Sequence, residues 1–160
     1  NITQELLEIG ADLPICYHDA PAFCSGIGEI VEPIKNFPKV YMVLVNPNQT
    51  LLTKDVFKIN TKINTPSIQN KPIDFFCDIE KLIEFISPLS NDLTESATQL
   101  MPEIQDILDL IQSQNGCAIS RMSGSGPTCF GVFRTKESAL KAESSIKNLY
   151  SNYWVKYSGV

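Results

Sequence analysis

A few residues in this chain have the types and spacing to do chemistry. Asp12 lies in GADLPICYH (10–18), where a predicted helix ends and a predicted strand begins, with Pro14 fixing the backbone beside it. A carboxylate at an element terminus stands where catalytic groups are commonly held. It can also cap local amides in an Asx-turn, and spacing alone favours that simpler role. His18 is the sole histidine, so no Ser/His/Asp or Cys/His set can be assembled around it. A strand-end histidine with a satisfied hydrogen bond fits better than a catalytic base. The five cysteines, Cys16, Cys24, Cys77, Cys117 and Cys129, form no CxxC pair. They read as small buried apolar side chains in a reducing compartment, not as a metal site.

The second candidate is the loop in RMSGSGPTCFGVF (121–133). Phosphate-cradling glycine loops run from a strand into a helix, whose N-terminal amides meet the anion. Here a strand follows, and neither GKS, GKT nor GxGxxG is present. The motif reads as a hairpin turn in which Gly124 and Gly126 take positive φ. The small side chains of Gly124, Ser125 and Gly126 would let a ligand approach the backbone. Phe57, on a short helix predicted over 53–59 with Thr53 as N-cap, is by default a core residue. A flat ring near a loop can also stack on a base. Asn91-Asp92 reads as a helix cap ahead of a substrate contact, and Gly26 and Gly28 of GIGE as a bend or bulge.

The elements that must position these residues follow from periodicity. A helix ends over 3–9, with Gly10 suited to its left-handed C′ position. PICYH (14–18) and AFCSG (22–26) read as short strands turned at Asp19-Ala20-Pro21, and 26–34 as extended. KVYMVLVNP (39–47) is a continuous apolar strand whose pattern implies burial on both faces. Residues 60–73 read as a surface loop. A helix follows at 78–87 with Asp78 as cap. Leu93, Ala97 and Leu100 continue a helical face, and Pro102 opens another helix at N1, carrying Ile104, Ile107, Leu108 and Ile111 inward. Strands over 117–123 and 128–133 flank SGSGP. An amphipathic helix covers 135–149 with Ala139, Ala142, Ile146 and Leu149 on one face, and 153–159 is a closing strand. From residue 39 this order is a ferredoxin-like split βαβ: an antiparallel sheet with helices on one face, in an α+β fold. Residues 1–34 read as the tail of a preceding α+β domain and 35–160 as the domain itself.

Composition narrows the function classes. The 160 residues are 43% hydrophobic and 19% charged, as in an ordinary globular domain. Thirteen Lys+Arg against 18 Asp+Glu give a net charge of −5. With no basic cluster, binding to nucleic acid or an anionic membrane is not expected. No apolar run approaches the ~18 residues of a membrane span, and the first residues lack the pattern of a signal peptide. The missing initiator Met and the immediate helical periodicity suggest a piece of something longer.

Three stretches taken in order, GADLPICYHDAPAFCSGIGE (10–29), SNDLT (90–94) and RMSGSGPTCFGVF (121–133), resemble the GHMP family of small-molecule kinases. The resemblance runs over nearly the whole chain. It implies a ferredoxin-like C-terminal domain preceded by the end of an N-terminal domain. It also implies phosphoryl transfer from ATP, with Mg²⁺, to the hydroxyl of a small alcohol. Within the family, the likeness points to a cytidine diphosphate-linked methylerythritol as substrate, in non-mevalonate isoprenoid synthesis in the cytoplasm.

On this likeness Asp12 is the catalytic aspartate, Phe57 stacks on the cytosine ring, and Thr53 contacts substrate. Gly124, Ser125 and Gly126 form the loop facing the active site. Thr94 departs from the acidic residue often found after NDL, which weakens any ligand role for Asn91-Asp92. The family's catalytic lysine region, ATP loop and metal ligands would precede residue 1, so the chain alone is expected to bind neither ATP nor metal and to be inactive. Self-association is expected where the missing domain would dock. A homoserine- or mevalonate-type kinase is the near alternative. A ferredoxin-like module binding a small ligand at the 123–127 hairpin is the alternative from another class.

Overall fold

The structure, a computed structural model, describes residues 2–10, 12–61 and 78–159. Apart from its first two residues, the loop expected over 60–73 lies outside these, as does Cys77. The chain divides into two compact units. One comprises Asn1–Pro38 with Ser67–Lys81, the other Lys39–Pro66 with Leu82–Val160.

The first unit begins with helix α1 (Ile2–Ile9) and the short helix α2 (Leu13–His18). Strands β1 (Ala22–Ser25) and β2 (Ile30–Pro33) then pair antiparallel, Ser25 opposite Ile30. The GIGE residues make the turn between them, with Gly26 at φ 71° and Gly28 at φ 113°. The expected bend is therefore a hairpin turn. The Glu29 carboxylate folds over Gly26, where a Cβ would collide with it, and accepts the Ile27 amide at 2.6 Å.

The expected strand over 14–18 is instead α2. Ile15, Cys16 and Tyr17 suit a strand, but Pro14 falls in the first helical turn, where its missing N–H costs nothing and its fixed φ suits a helix. Asp19, at φ 49°, ends the helix in the left-handed region. His18 is accordingly an exposed helix-end residue.

The second unit is built on strand β3 (Tyr41–Asn46), helices α3 (Thr53–Ile59), α4 (Ile79–Ile86, which enters from the first unit), α5 (Thr94–Leu100) and α6 (Glu103–Gln112), strands β4 (Cys117–Met122) and β5 (Cys129–Phe133), helix α7 (Lys136–Leu149) and strand β6 (Trp154–Gly159). The sheet order is β4-β5-β3-β6 with every pairing antiparallel. This is the ferredoxin-like order, with α6 and α7 packed on one face. Val43 and Val45 of β3 point into that layer and are fully buried. They meet Ile104, Ile107 and Ile111 of α6 and Ala139, Ala142 and Ile146 of α7 in one core. Each large side chain so sealed contributes about 1.5–3 kcal/mol.

Met42 and Leu44, on the opposite face of β3, are only half-buried. The continuous apolar run therefore marks a central strand with one sealed face, not two. Three other details differ from expectation. Leu149, the last residue of α7, is 66% exposed and does not continue the core face. Leu100 is exposed at the end of α5. Pro102 occupies the N-cap position of α6, one residue before N1. The predicted cap of α4 is present, with the Lys81 amide donating to Asp78 at 2.9 Å. Gly131 has a separate packing role: it lets β5 pass directly beneath α6, where a Cβ would overlap the Ile111 side chain and crowd Phe133 at 3.1 Å.

Candidate active site

In the first unit Asp12 holds the N-cap position of α2. Its backbone lies in the helical region (φ −86°, ψ −9°), and its side chain makes no capping hydrogen bond. An N-cap side chain reaches the helix amides from an extended backbone, so this conformation withholds the carboxylate from them. The Asx-turn that spacing favoured is therefore not what this carboxylate does. It is exposed, while its own carbonyl accepts the Cys16 amide at 3.2 Å. Partial burial, and then the Asp12 charge, push the Cys24 thiol up from its ordinary value. Cys16 and Cys24 are exposed, against the expectation that the cysteines are buried.

In the second unit the β4–β5 hairpin carries Gly124 at φ 54° and Gly126 at φ 81°, as the turn requires. Ser123 N donates to Thr128 O at 2.9 Å, and Gly126 N to Ser123 O at 2.9 Å. Thr53 and Ser125 share a hydroxyl–hydroxyl hydrogen bond of 2.9 Å, which joins two of the sequence candidates. Thr53 is the first residue of α3, with Leu52 at the cap position, so its hydroxyl is free for this partner. Phe57, one turn further along α3, is 58% exposed, whereas Val56 beside it is fully buried. The ring is thus a solvent-facing surface, not a core residue.

Two braces of the hairpin escaped the sequence reading. Asn46, at the end of β3, donates from its side chain to Thr128 Oγ1 at 2.9 Å. The Asn91 amide nitrogen donates to the carbonyls of Met122 (2.9 Å) and Gly124 (2.8 Å). Asn91 Oδ1 accepts the Leu93 amide at 3.0 Å, but Leu93 itself is the N-cap of α5 and no side chain caps that helix, so the cap expected of Asn91-Asp92 is not formed. The position of Asn46 at a strand end was the available signal. Nothing local to SNDLT points to a turn more than thirty residues away. Arg121 pins the chain before this point by donating to the carbonyls of Ser87 (3.0 Å) and Leu89 (2.8 Å). Beside it, Ser90, Thr94, Gln105, Leu89, Leu108 and Met122 help line an open groove of mixed polar and apolar character, about 660 Å³.

Burial pushes Cys129 up to about 12 and Cys117 up to about 11. Among the described residues no group of three or more His, Cys, Asp or Glu is placed to hold a metal ion, and no helix is long and apolar enough to cross a membrane.

The second unit is thus a split βαβ sheet whose glycine hairpin is tied to the helix after its first strand. Residues 78–152 match the family model described as GHMP kinases C terminal. Among curated proteins, the 4-diphosphocytidyl-2-C-methyl-D-erythritol kinase of Roseobacter denitrificans is 37% identical over 153 residues, covering 96% of this chain and 51% of the relative. The kinase of the same name from Paracoccus denitrificans is 38% identical over 152 residues, covering 95% and 55%. The chain thus spans about half the length of the curated relatives it matches.

A crystal structure of 4-(cytidine 5'-diphospho)-2C-methyl-D-erythritol kinase superposes with a TM-score of 0.72 at 24% identity, over 100% of this chain and 57% of the other. Homoserine kinase from Cytophaga hutchinsonii gives a TM-score of 0.55 at 16% identity, over 81% and 44%. Both likenesses show the fold.

Proposed function

We propose that this chain is the C-terminal part of a kinase that transfers the γ-phosphoryl group of ATP to the 2-hydroxyl of 4-diphosphocytidyl-2-C-methyl-D-erythritol, a cytoplasmic step of isoprenoid precursor synthesis. The observation that carries the proposal is the likeness to kinases of that name along 96% of the chain. The geometry supports it at each candidate position. Asp12 offers an exposed carboxylate that is not used as a cap. Phe57 offers an exposed ring on helix α3, suited to stacking on cytosine. Thr53 and Ser125 hold the start of that helix against the glycine hairpin.

Phosphoryl transfer is governed mainly by alignment and by charge stabilisation. Asp12 would accept the proton of the attacking hydroxyl or hold that hydroxyl in line. Phe57 and Thr53 would fix the nucleoside end of the substrate, and Gly124–Gly126 would close on the reacting end. In this proposal ATP and Mg²⁺ belong to the complete enzyme, and the catalytic lysine and phosphate loop to the half of the relatives' length that this chain does not span. The chain alone then has no turnover. Residues 1–34 would complete that first domain and 35–160 form the second, and apolar surface left by an absent partner domain would favour self-association.

The test is a substrate comparison in the complete kinase. Turnover of the cytidine diphosphate-linked alcohol, with none of homoserine or mevalonate, is the expected result. Turnover by the 160-residue chain by itself would overturn the division of labour. The other GHMP chemistries give no reason for an exposed ring at Phe57. A ligand-binding module would not need Asp12.

A further inference from the structure

The Asn91 side chain is engaged through both its amide nitrogen and its carbonyl oxygen. One amide nitrogen donates to two carbonyls of the hairpin, Met122 O and Gly124 O, while Oδ1 accepts the Leu93 amide. A trans peptide is planar, and its C=O and N–H point in opposite directions. Among the described residues the cis bond is Gly126–Pro127, so the peptide between Gly124 and Ser125 is trans. Holding the Gly124 carbonyl therefore turns the Ser125 N–H away from Asn91.

The turn's own hydrogen bonds use the amides of Ser123 and Gly126, and the Thr53 bond uses only the Ser125 hydroxyl. The Ser125 amide is in none of them. On the side of Gly124 where a Cβ would stand, no non-neighbouring atom lies within 4 Å.

We propose that Asn91 is a positioning residue that aims the Ser125 N–H at an acceptor oxygen of the bound substrate. This rests on the reading that the hairpin faces the substrate. It differs from a capping role in one respect. The cap-like bond to Leu93 needs only an acceptor at position 91, whereas holding the hairpin needs donors.

Asn91→Asp separates the two roles. It is nearly isosteric and keeps the acceptor for Leu93, but it turns an anionic oxygen toward two carbonyls. In the 160-residue chain, the amide resonances of Gly124, Ser125 and Gly126 are expected to shift while those of α5 stay in place. The shifts should partly reverse on acidification, as the new carboxyl protonates and regains one donor. In the complete kinase, kcat/KM is expected to fall at least tenfold. Should Asn91→Asp fail to fold, Asn91→Ser keeps an acceptor for Leu93 and should give the same pattern of shifts with a smaller loss.

Unchanged hairpin resonances, or changes confined to α5, would overturn the proposal. Shifted hairpin resonances with unaltered kinetics would overturn it as well. A wild-type complete enzyme that does not turn over the cytidine substrate would refute the function reading. The resonance test of the hairpin would still apply.

Discussion

The two candidate regions are built in opposite ways. The hairpin of the second unit is held from three directions, by Asn46, by Asn91 and by Thr53 at the start of α3. Asp12, in the first unit, occupies the position where a helix cap would be, yet its side chain caps nothing. A group that must present backbone to a ligand gains from fixed geometry. A group that must exchange a proton, or hold a mobile hydroxyl, gains from having no competing partner.

The contrast yields predictions of decreasing size. Asp12→Asn in the complete kinase should lower kcat by about 10²–10⁴. Thermal stability should change by no more than about 0.5 kcal/mol, since the carboxylate is exposed and makes no cap bond. If stability falls along with activity, Asp12 is a structural residue and the contrast disappears.

In the hairpin the order is reversed, with stability responding first. Gly124→Ala meets only the cost of a left-handed residue, about 1–2 kcal/mol. Gly126→Ala adds a collision with Met122 Sδ at 2.8 Å, and overpacking of this kind costs about 1–3 kcal/mol more. Urea unfolding of the two variants should rank them in that order.

Phe57→Ala should leave the unfolding midpoint in place, because the ring is exposed. It should raise KM for a cytidine-bearing substrate by an amount equivalent to about 1–3 kcal/mol of stacking. An unchanged KM would remove the reason for preferring that substrate over those of sister kinases.

A double-mutant cycle with Thr53→Val and Ser125→Ala should give a coupling of about 0.5–1.5 kcal/mol, the range for one hydrogen bond. Zero coupling would mean that the hairpin is held from two directions only. Finally, a thiol reagent at pH 8 should label the exposed Cys16 and, more slowly because its thiol is pushed up, Cys24. It should spare Cys129, whose pKa near 12 leaves it a buried thiol until the chain unfolds. Early labelling of Cys129 would show that the sheet opens locally.

The ferredoxin-like order was legible because β3, α6, α7 and the SGSGP hairpin each announce themselves by local pattern: an apolar run, two amphipathic faces, and glycines between strands. The 13–18 segment was not, because Ile15, Cys16 and Tyr17 have strand propensities and the decisive signal was Pro14 following a capping-type residue. The sequence could nominate Thr53, Phe57 and Ser125 individually. The bond between Thr53 and Ser125 spans 72 positions, and no periodicity encodes such a contact. Asn91 was misjudged for a related reason: its local bond to Leu93 is visible to spacing rules, and its two bonds to the hairpin are not.

Gly131 has a consequence that reaches the hairpin. Its bare Cα lets α6 lie against β5 with Ile111 directly above. At its other end, the same helix places the Ile104 methyl 3.5 Å from where a Cβ on Gly126 would stand. One helix thus spans both glycines. A methyl group on Gly131 would force the Ile111 side chain or α6 itself to shift, and a shift of α6 would carry Ile104, which stands beside Gly126.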